Sequence, residues 1–400
     1  MADFVFGDLK SAYESFREPK AGIVIDGNEL TPDTGLALAE ADVELTSGYE
    51  ASIATVTLTG CFDSDSASFD IKKVKKFLYM GSSVILYLGY GTAIREVFRG
   101  FIARVHFRVP ELTSDEVATI ELTCMDVKGL LMANRHSKRL KSQYFSDAVR
   151  EVLEANDFIA QKDMSGQSFT QLNISNTPDK PQGEGAGGAG GAGGAGGAGG
   201  GQGTTDRRVE MVEESDYEFI VKAAKRYNFE FFTVGDTLYF IEAKKNTTPL
   251  IELSPRMGMI DLDVGYDMTG LVKSVTVRNI DMEQGKYIGD KKQSKSKISM
   301  GNKAKPLVEK QSMVYIDPTT DSKEEAGYRA NYLMDSIEYR LGSVTGVFVG
   351  LPELIPGRFI TLKEFGQPLN NNFYLTSVRH SMTQTSFVTR FEGVANAIGQ

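Results

Sequence analysis

EESDYEFIVKAAKRYNFEFFTVGDTLYFIE, running from Glu213 to Glu242, changes its period halfway along. In its first half Phe219, Ile220, Ala223, Ala224 and Tyr227 recur at the spacing of one buried helical face. Lys222, Lys225 and Arg226 take the other face and favour the C-terminal half. Ser215 as N-cap, with Glu218 three residues on, has the form of a capping box. Asp216 and Glu218 put negative charge at the positive end of the helix dipole, so both are read as capping groups and not as an acid/base pair. Asn228 is placed to stop the helix. Phe229, Phe231, Leu238 and Phe240 then suit two strands turning at Gly235-Asp236. A helix that feeds a hairpin carries no catalytic signature, and its meaning has to come from the architecture around it.

That architecture is strand-rich. Residues 22–27, 52–60, 83–91, 96–109 and 117–126 read as strands, several with the alternation of half-buried ones, which predicts an antiparallel barrel or sandwich. A helix follows, capped by Ser146, with Ala148, Val149, Val152 and Leu153 on its apolar face. Gly183 to Gly203 holds five Ala-Gly-Gly triplets and reads as a flexible linker, since it has nothing to bury and glycine is costly to order. Strands resume at Leu250. One helix interrupts them, with Ser322 and Glu325 as a second capping box, Ala326, Ala330, Leu333, Met334, Ile337 and Leu341 as its stripe and Gly342 as C-cap. A loose nine-residue likeness between Gly100–Arg108 and Gly270–Arg278 suggests two related β domains.

Bulk properties narrow the function. The 400 residues allow two or three domains, and 41% hydrophobic with 24% charged residues is ordinary for a chain with real cores. A net charge of −9 argues against specific nucleic-acid binding. The basic clusters Lys72–Lys76, Asn134–Lys141 and Asp290–Lys297 lack interleaved aromatics and read as solvated surface. No apolar run reaches membrane-spanning length, so no stable membrane insertion is expected, and the charged N-terminus lacks a signal-peptide core. Cys61 and Cys124 read as buried free thiols.

Chemistry is hard to place on this chain. His106, His136 and His380 have no ligand spacing among them, so no metal or cofactor is expected. Gly89–Ile94 begins like a dinucleotide fingerprint but lacks its third glycine, and Asp63–Asp70 fails as a calcium loop at Ala67 and Ser68. A glycosidase carboxylate pair would need two of 53 acidic residues, and nothing selects them.

Two sets of residues resemble the phage late control D and VgrG-type baseplate hub proteins. One is Glu214-Ser215-Asp216, Phe219-Ile220, Ala224 and Phe231, with Asn228 where that family often has glycine. The other is Gly350, Pro352, Leu354, Pro356, Gly357 and Ile360, followed by Tyr374, Val378 and His380. The resemblance implies an α+β, mostly β fold, with two related antiparallel β-barrel-like tube domains and smaller α/β elements between them. On that basis residues 1–130 form the first tube domain, 131–182 a helical or mixed segment and 183–203 the linker. Residues 204–247 form the helix–hairpin element, and 248–400 the second tube domain with a helix at about 322–341. It implies a structural baseplate hub of a contractile phage tail or phage-like injection system, with no enzymatic activity. As a homotrimer it would join a six-fold inner tube protein to a three-fold spike, beside other baseplate proteins. It would assemble in the bacterial cytoplasm into a virion or phage-like particle. Because no spike follows Gln400, a separate spike protein is expected. The alternative is a tail-associated cell-wall glycosidase.

Overall fold

The structure is a computed structural model. It describes every residue except 1, 32–34, 61, 64–65, 71–77, 112–115, 163–165, 167, 181–207, 282–285, 289–292, 296–297, 319, 321 and 400. The glycine-rich run 183–203, Cys61 and the basic cluster 72–76 lie outside the described residues, as do parts of 63–70 and 290–297.

Five strands of the N-terminal part are β2 (Ala37–Thr46), β3 (Ile53–Thr59), β4 (Ser83–Tyr90), β5 (Ala93–Arg108) and β6 (Thr119–Met125), preceded by β1 (Pro19–Ile25). Their alternation is the physical reason they form a sheet with one wet face. Ala54, Val56 and Leu58 on β3 and Ile120, Leu122 and Cys124 on β6 are wholly buried, while the residues between them are partly exposed. Burying each Val, Leu or Ile among these contributes about 1.5–3 kcal/mol by its leaving water. Gly89–Ile94, which begins like a nucleotide fingerprint, is a hairpin: Tyr90 pairs with Ala93 and Gly91 sits at φ +53° in the turn. Cys124 is a buried free thiol whose pKa burial pushes up to about 12.

The C-terminal part supplies β9 (Pro249–Leu253), β10 (Met259–Tyr266), β13 (Gly342–Val349), β14 (Phe359–Leu362), β15 (Asn372–Thr383) and β16 (Phe387–Ala395). Between β10 and β13 it carries β11 (Ser274–Asp281), β12 (Ser312–Ile316) and helix α3 (Lys323–Glu338); β11 and α3 pack on one another as a separate apolar cluster, and the exposed β12 pairs with β11. All the main strands belong to one 13-stranded sheet, in which β10, β13, β16, β15, β2, β3, β6, β5, β4 and β1 follow in order and β14 lies beside β15.

The two parts repeat one another strand for strand. In chain order, β2 to β6 are arranged first, second, fifth, fourth, third, and β10, β13, β14, β15 and β16 are arranged the same way, all antiparallel. Irregularities coincide as well. The register shifts between Leu38 and Glu40 against β3, and between Met259 and Asp261 against β13. It shifts between Ile102 and Arg104 against β6, and between Leu375 and Ser377 against β16. Gly81 (φ +88°) donates to the Ile102 carbonyl at 2.8 Å, and Gly357 (φ +79°) to that of Leu375 at 2.9 Å. These registers align Gly100–Arg108 with Phe373–Ser381, and Glu40–Leu45 (EADVEL) with Asp261–Tyr266 (DLDVGY). The likeness of Gly100–Arg108 to Gly270–Arg278 is therefore not the true repeat: the second segment runs into β11, in a different sheet beside α3. Nine loosely patterned residues matched because any half-buried strand supplies alternating apolar positions.

A second apolar cluster forms from helix α1 (Phe145–Glu154), a strand at Gln171–Ile174, helix α2 (Asp216–Tyr227) and the hairpin β7 (Phe229–Val234) and β8 (Thr237–Glu242). The opening stretch folds as its periodicity predicts. Phe219, Ile220, Ala223, Ala224 and Tyr227 are all buried in this cluster. Both bonds of the Ser215/Glu218 capping box are present, and Asn228 ends α2 at φ +58°, a conformation asparagine tolerates nearly as glycine does. Ser215→Ala is expected to lower stability by about 1 kcal/mol, read as a drop in the thermal midpoint; no drop would show that the cap is dispensable.

Two other caps differ from expectation. At α1 the N-cap is Tyr144, and Ser146 lies inside the first turn; the free N–H groups of Phe145 and Ser146 donate to Asp179 Oδ2 and Thr177 Oγ1 instead. Residues distant in sequence thus cap the helix. At α3 Ser322 does accept from the Glu325 N–H, but the helix ends at Tyr339, and Gly342 is already the first residue of β13.

Candidate functional site

The face of the sheet turned away from the core is where a surface function would sit. It shows Asp42 and Glu44 on β2, Thr55 and Thr57 on β3, Glu121 on β6, Arg379 on β15, and Arg390 and Glu392 on β16, while the opposite face holds the apolar cluster shared by both halves. Hydroxyls and charges of both signs line water well and pack poorly against protein.

At the seam between the halves, β15 pairs antiparallel with β2, from Ser377 opposite Thr46 to Thr383 opposite Glu40. Arg379 Nε donates to Asp42 Oδ1 and Oδ2 at 2.8 and 3.0 Å, and Ser381 Oγ donates to Oδ2 at 2.7 Å. On the core side of the seam Ala41, Val43, Val378 and His380 are almost wholly buried. The seam therefore combines a ladder, a dry core row and a charge-assisted contact on the wet face.

Below β15 lies the Gly350–Gly357 segment. The Gly350 Cα faces the Phe387 ring so closely that a Cβ there would stand 2.2 Å from it, and a Cβ on Gly357 would stand 2.4 Å from Phe232 of β7. Pro352 and Pro356 are buried in the turn between. His380, fully buried, clamps this segment: Nε2 lies 3.2 Å from the Leu354 carbonyl and Nδ1 2.9 Å from Thr389 Oγ1. Since a carbonyl only accepts, Nε2 carries the proton. Nδ1 then accepts from the Thr389 hydroxyl, which itself accepts from the Leu351 N–H at 2.9 Å. Burial lowers the imidazole pKa to about 4, against the raising effects of the Leu354 bond and the Asp42 charge. His380 is thus a neutral structural residue.

Of the remaining motif residues, Glu214 pairs with Lys222 at 2.7 Å, Asp216 lies 3.2 Å from His136 Nε2, and Phe219 and Ile220 fill the second core. The motif around Ser215 and the motif around Gly357 do not converge on one site. They hold two units that meet where Phe232 rests on Gly357.

A joint that the sequence does not advertise ties the same units together. Asp126, at the end of β6, accepts from the Ser52 N–H at 3.0 Å, the Lys128 N–H at 3.0 Å and the Thr233 hydroxyl of β7 at 2.5 Å. Lys128 is fully buried; its ammonium lies 3.8 Å from Asp126 and donates to the Glu50 and Gly48 carbonyls. Burial lowers the Lys128 pKa, and the Asp126 charge opposes this. No group of three or more His, Cys, Asp or Glu side chains that could hold a metal occurs among the described residues.

No known family profile matches the sequence, and no curated protein does. Solved structures do match. A tail protein from Neisseria meningitidis MC58 is similar at TM-score 0.62 and 11% identity, over 95% of this chain and 97% of that one. The 43 kDa tail protein of prophage MuSo2 from Shewanella oneidensis is similar at TM-score 0.61 and 10% identity, over 94% and 98%. An E. coli component of the type VI secretion system, described as structurally similar to the T4 bacteriophage tail proteins gp27 and gp5, is similar at TM-score 0.54 and 11% identity, over 93% and 76%. The fold of this chain is that of phage tail and type VI secretion proteins. Among the described residues no helix is long and apolar enough to cross a membrane.

Proposed function

We propose that this chain is a structural baseplate hub: a trimeric adaptor that joins the six-fold inner tube of a contractile tail or phage-like injection system to a three-fold spike. The observation that carries this reading is the duplication. Two halves of one topology and matching registers sit side by side in one sheet, related through the β15–β2 seam. Three such chains offer six near-equivalent positions to a six-fold tube, while the three chains themselves match the symmetry of a three-fold spike. The polar sheet face suits a water-filled lumen. The helix–hairpin unit, fixed to the sheet through Asp126 and Gly357, braces it from outside the ladder. The partners on this reading are the inner tube protein, a spike protein and other baseplate proteins, assembled in the bacterial cytoplasm and carried in the particle. Substrate turnover is no part of this reading, and His380 serves it by holding a loop.

Light scattering on the purified chain tests the proposal. A mass three times the 43.8 kDa of the chain is expected. A monomer at micromolar concentration, with or without tube protein, would defeat it.

A further inference from the structure

The seam inside the chain is a template for the seam between chains. The β15–β2 junction joins the fourth strand of the second half to the first strand of the first half. The same two strands of the opposite halves, β5 and β10, are open. Past Ile102, β5 has no ladder partner on the side away from β6, and β10 has none on the side away from β13, among the described residues. Their side chains show what is missing. Phe107, aligned with the fully buried His380, is 45% exposed. Val105, Leu262 and Val264 are only partly buried, whereas their counterparts Val378, Ala41 and Val43 are buried. Half-covered apolar residues on a free strand edge mark a surface that another strand completes.

We infer that β5 of one copy pairs antiparallel with β10 of a second copy, in the register of the β15–β2 seam. Carrying that register across places Arg104 opposite Asp267, Val105 opposite Tyr266, Phe107 opposite Val264 and Arg108 opposite Asp263. Charge agrees with this pairing independently of the template: both arginines meet an aspartate. Asp263 lies opposite Arg108 and diagonal to His106, as Asp42 lies opposite Ser381 and diagonal to Arg379. Arg108 now reaches Glu116 at 2.7 Å with both side chains mostly in solvent, and Arg104 reaches Glu121 at 3.7 Å, so neither contact holds its arginine against a better partner. Each copy has one open edge of each kind, a heterologous contact that closes into a ring when the rotation fits. The closure at three rests on the hub reading above; the strand pair and its register do not.

Oxidative cross-linking of the full-length chain tests this. His106→Cys with Gly265→Cys should give covalent dimers and trimers and nothing larger on a non-reducing gel. His106→Cys with Asp261→Cys, four residues off register, should give at least tenfold less. Arg108→Glu or Asp263→Arg alone should weaken the trimer tenfold or more, and the two together should restore it. A trimer in solution that fails to cross-link in register, or that ignores both single reversals, overturns the strand pairing and leaves the hub reading standing. Ladders beyond three overturn ring closure, and a monomer overturns both.

Discussion

Asp126→Ala is expected to cost about 3–5 kcal/mol, because it leaves the buried Lys128 ammonium without its counter-charge. Three further acceptor contacts go with it: the Ser52 N–H, the Lys128 N–H and the Thr233 hydroxyl lose their partner inside the protein. The loss is not local. Ser52 immediately precedes β3, Lys128 follows β6, and Thr233 lies on the hairpin of the second core, so the change loosens the helix–hairpin unit from the sheet. The check is the denaturant midpoint of Asp126→Ala beside that of Asp126→Ala/Lys128→Met. The double variant should recover much of the loss, since an apolar side chain at 128 needs no counter-charge. An unchanged midpoint in the single variant would show that this joint does not hold the units together.

The second large effect is a pH dependence. His380 titrates near 6.5 in an unfolded chain and near 4 when buried. Between those values the unfolded chain binds a proton that the folded one refuses, so acid favours unfolding. The contribution of His380 is intact above pH 6.5 and is lost as pH falls to about 4, for a total of about 3 kcal/mol. Asp42 is the charge that acts on it, and other carboxylates add their own acid dependence. The measurement is therefore a difference: stability of wild type and of His380→Gln across that range. The gap between them should shrink by about 3 kcal/mol on acidification. Parallel curves would mean that the imidazole is not held neutral.

Much of this was legible in the sequence because it is local. The spacing of Phe219 to Tyr227, the Ser215–Glu218 box and the alternation of Ile53–Thr59 each declare a face to bury within a few residues. What escaped was non-local, with one exception. β2 was missing from the strand reading, although Ala41, Val43 and Leu45 alternate strictly with Asp42 and Glu44, and that strand forms the seam. The true repeat escaped too, because Arg104-Val105-His106 and Ser377-Val378-Arg379 share little but their pattern of in and out. Neither a cap for α1 from Thr177 and Asp179 nor a buried Asp126–Lys128 joint has a signature shorter than the fold itself.

By itself the sequence determined most of the elements, the mostly β class and the helix–hairpin, since period and capping act over one turn or one strand. Only the tertiary structure decided how the halves relate. Hydrogen-bond register is a property of two strands held together, and it is the register that aligns one half with the other and shows which edges remain open.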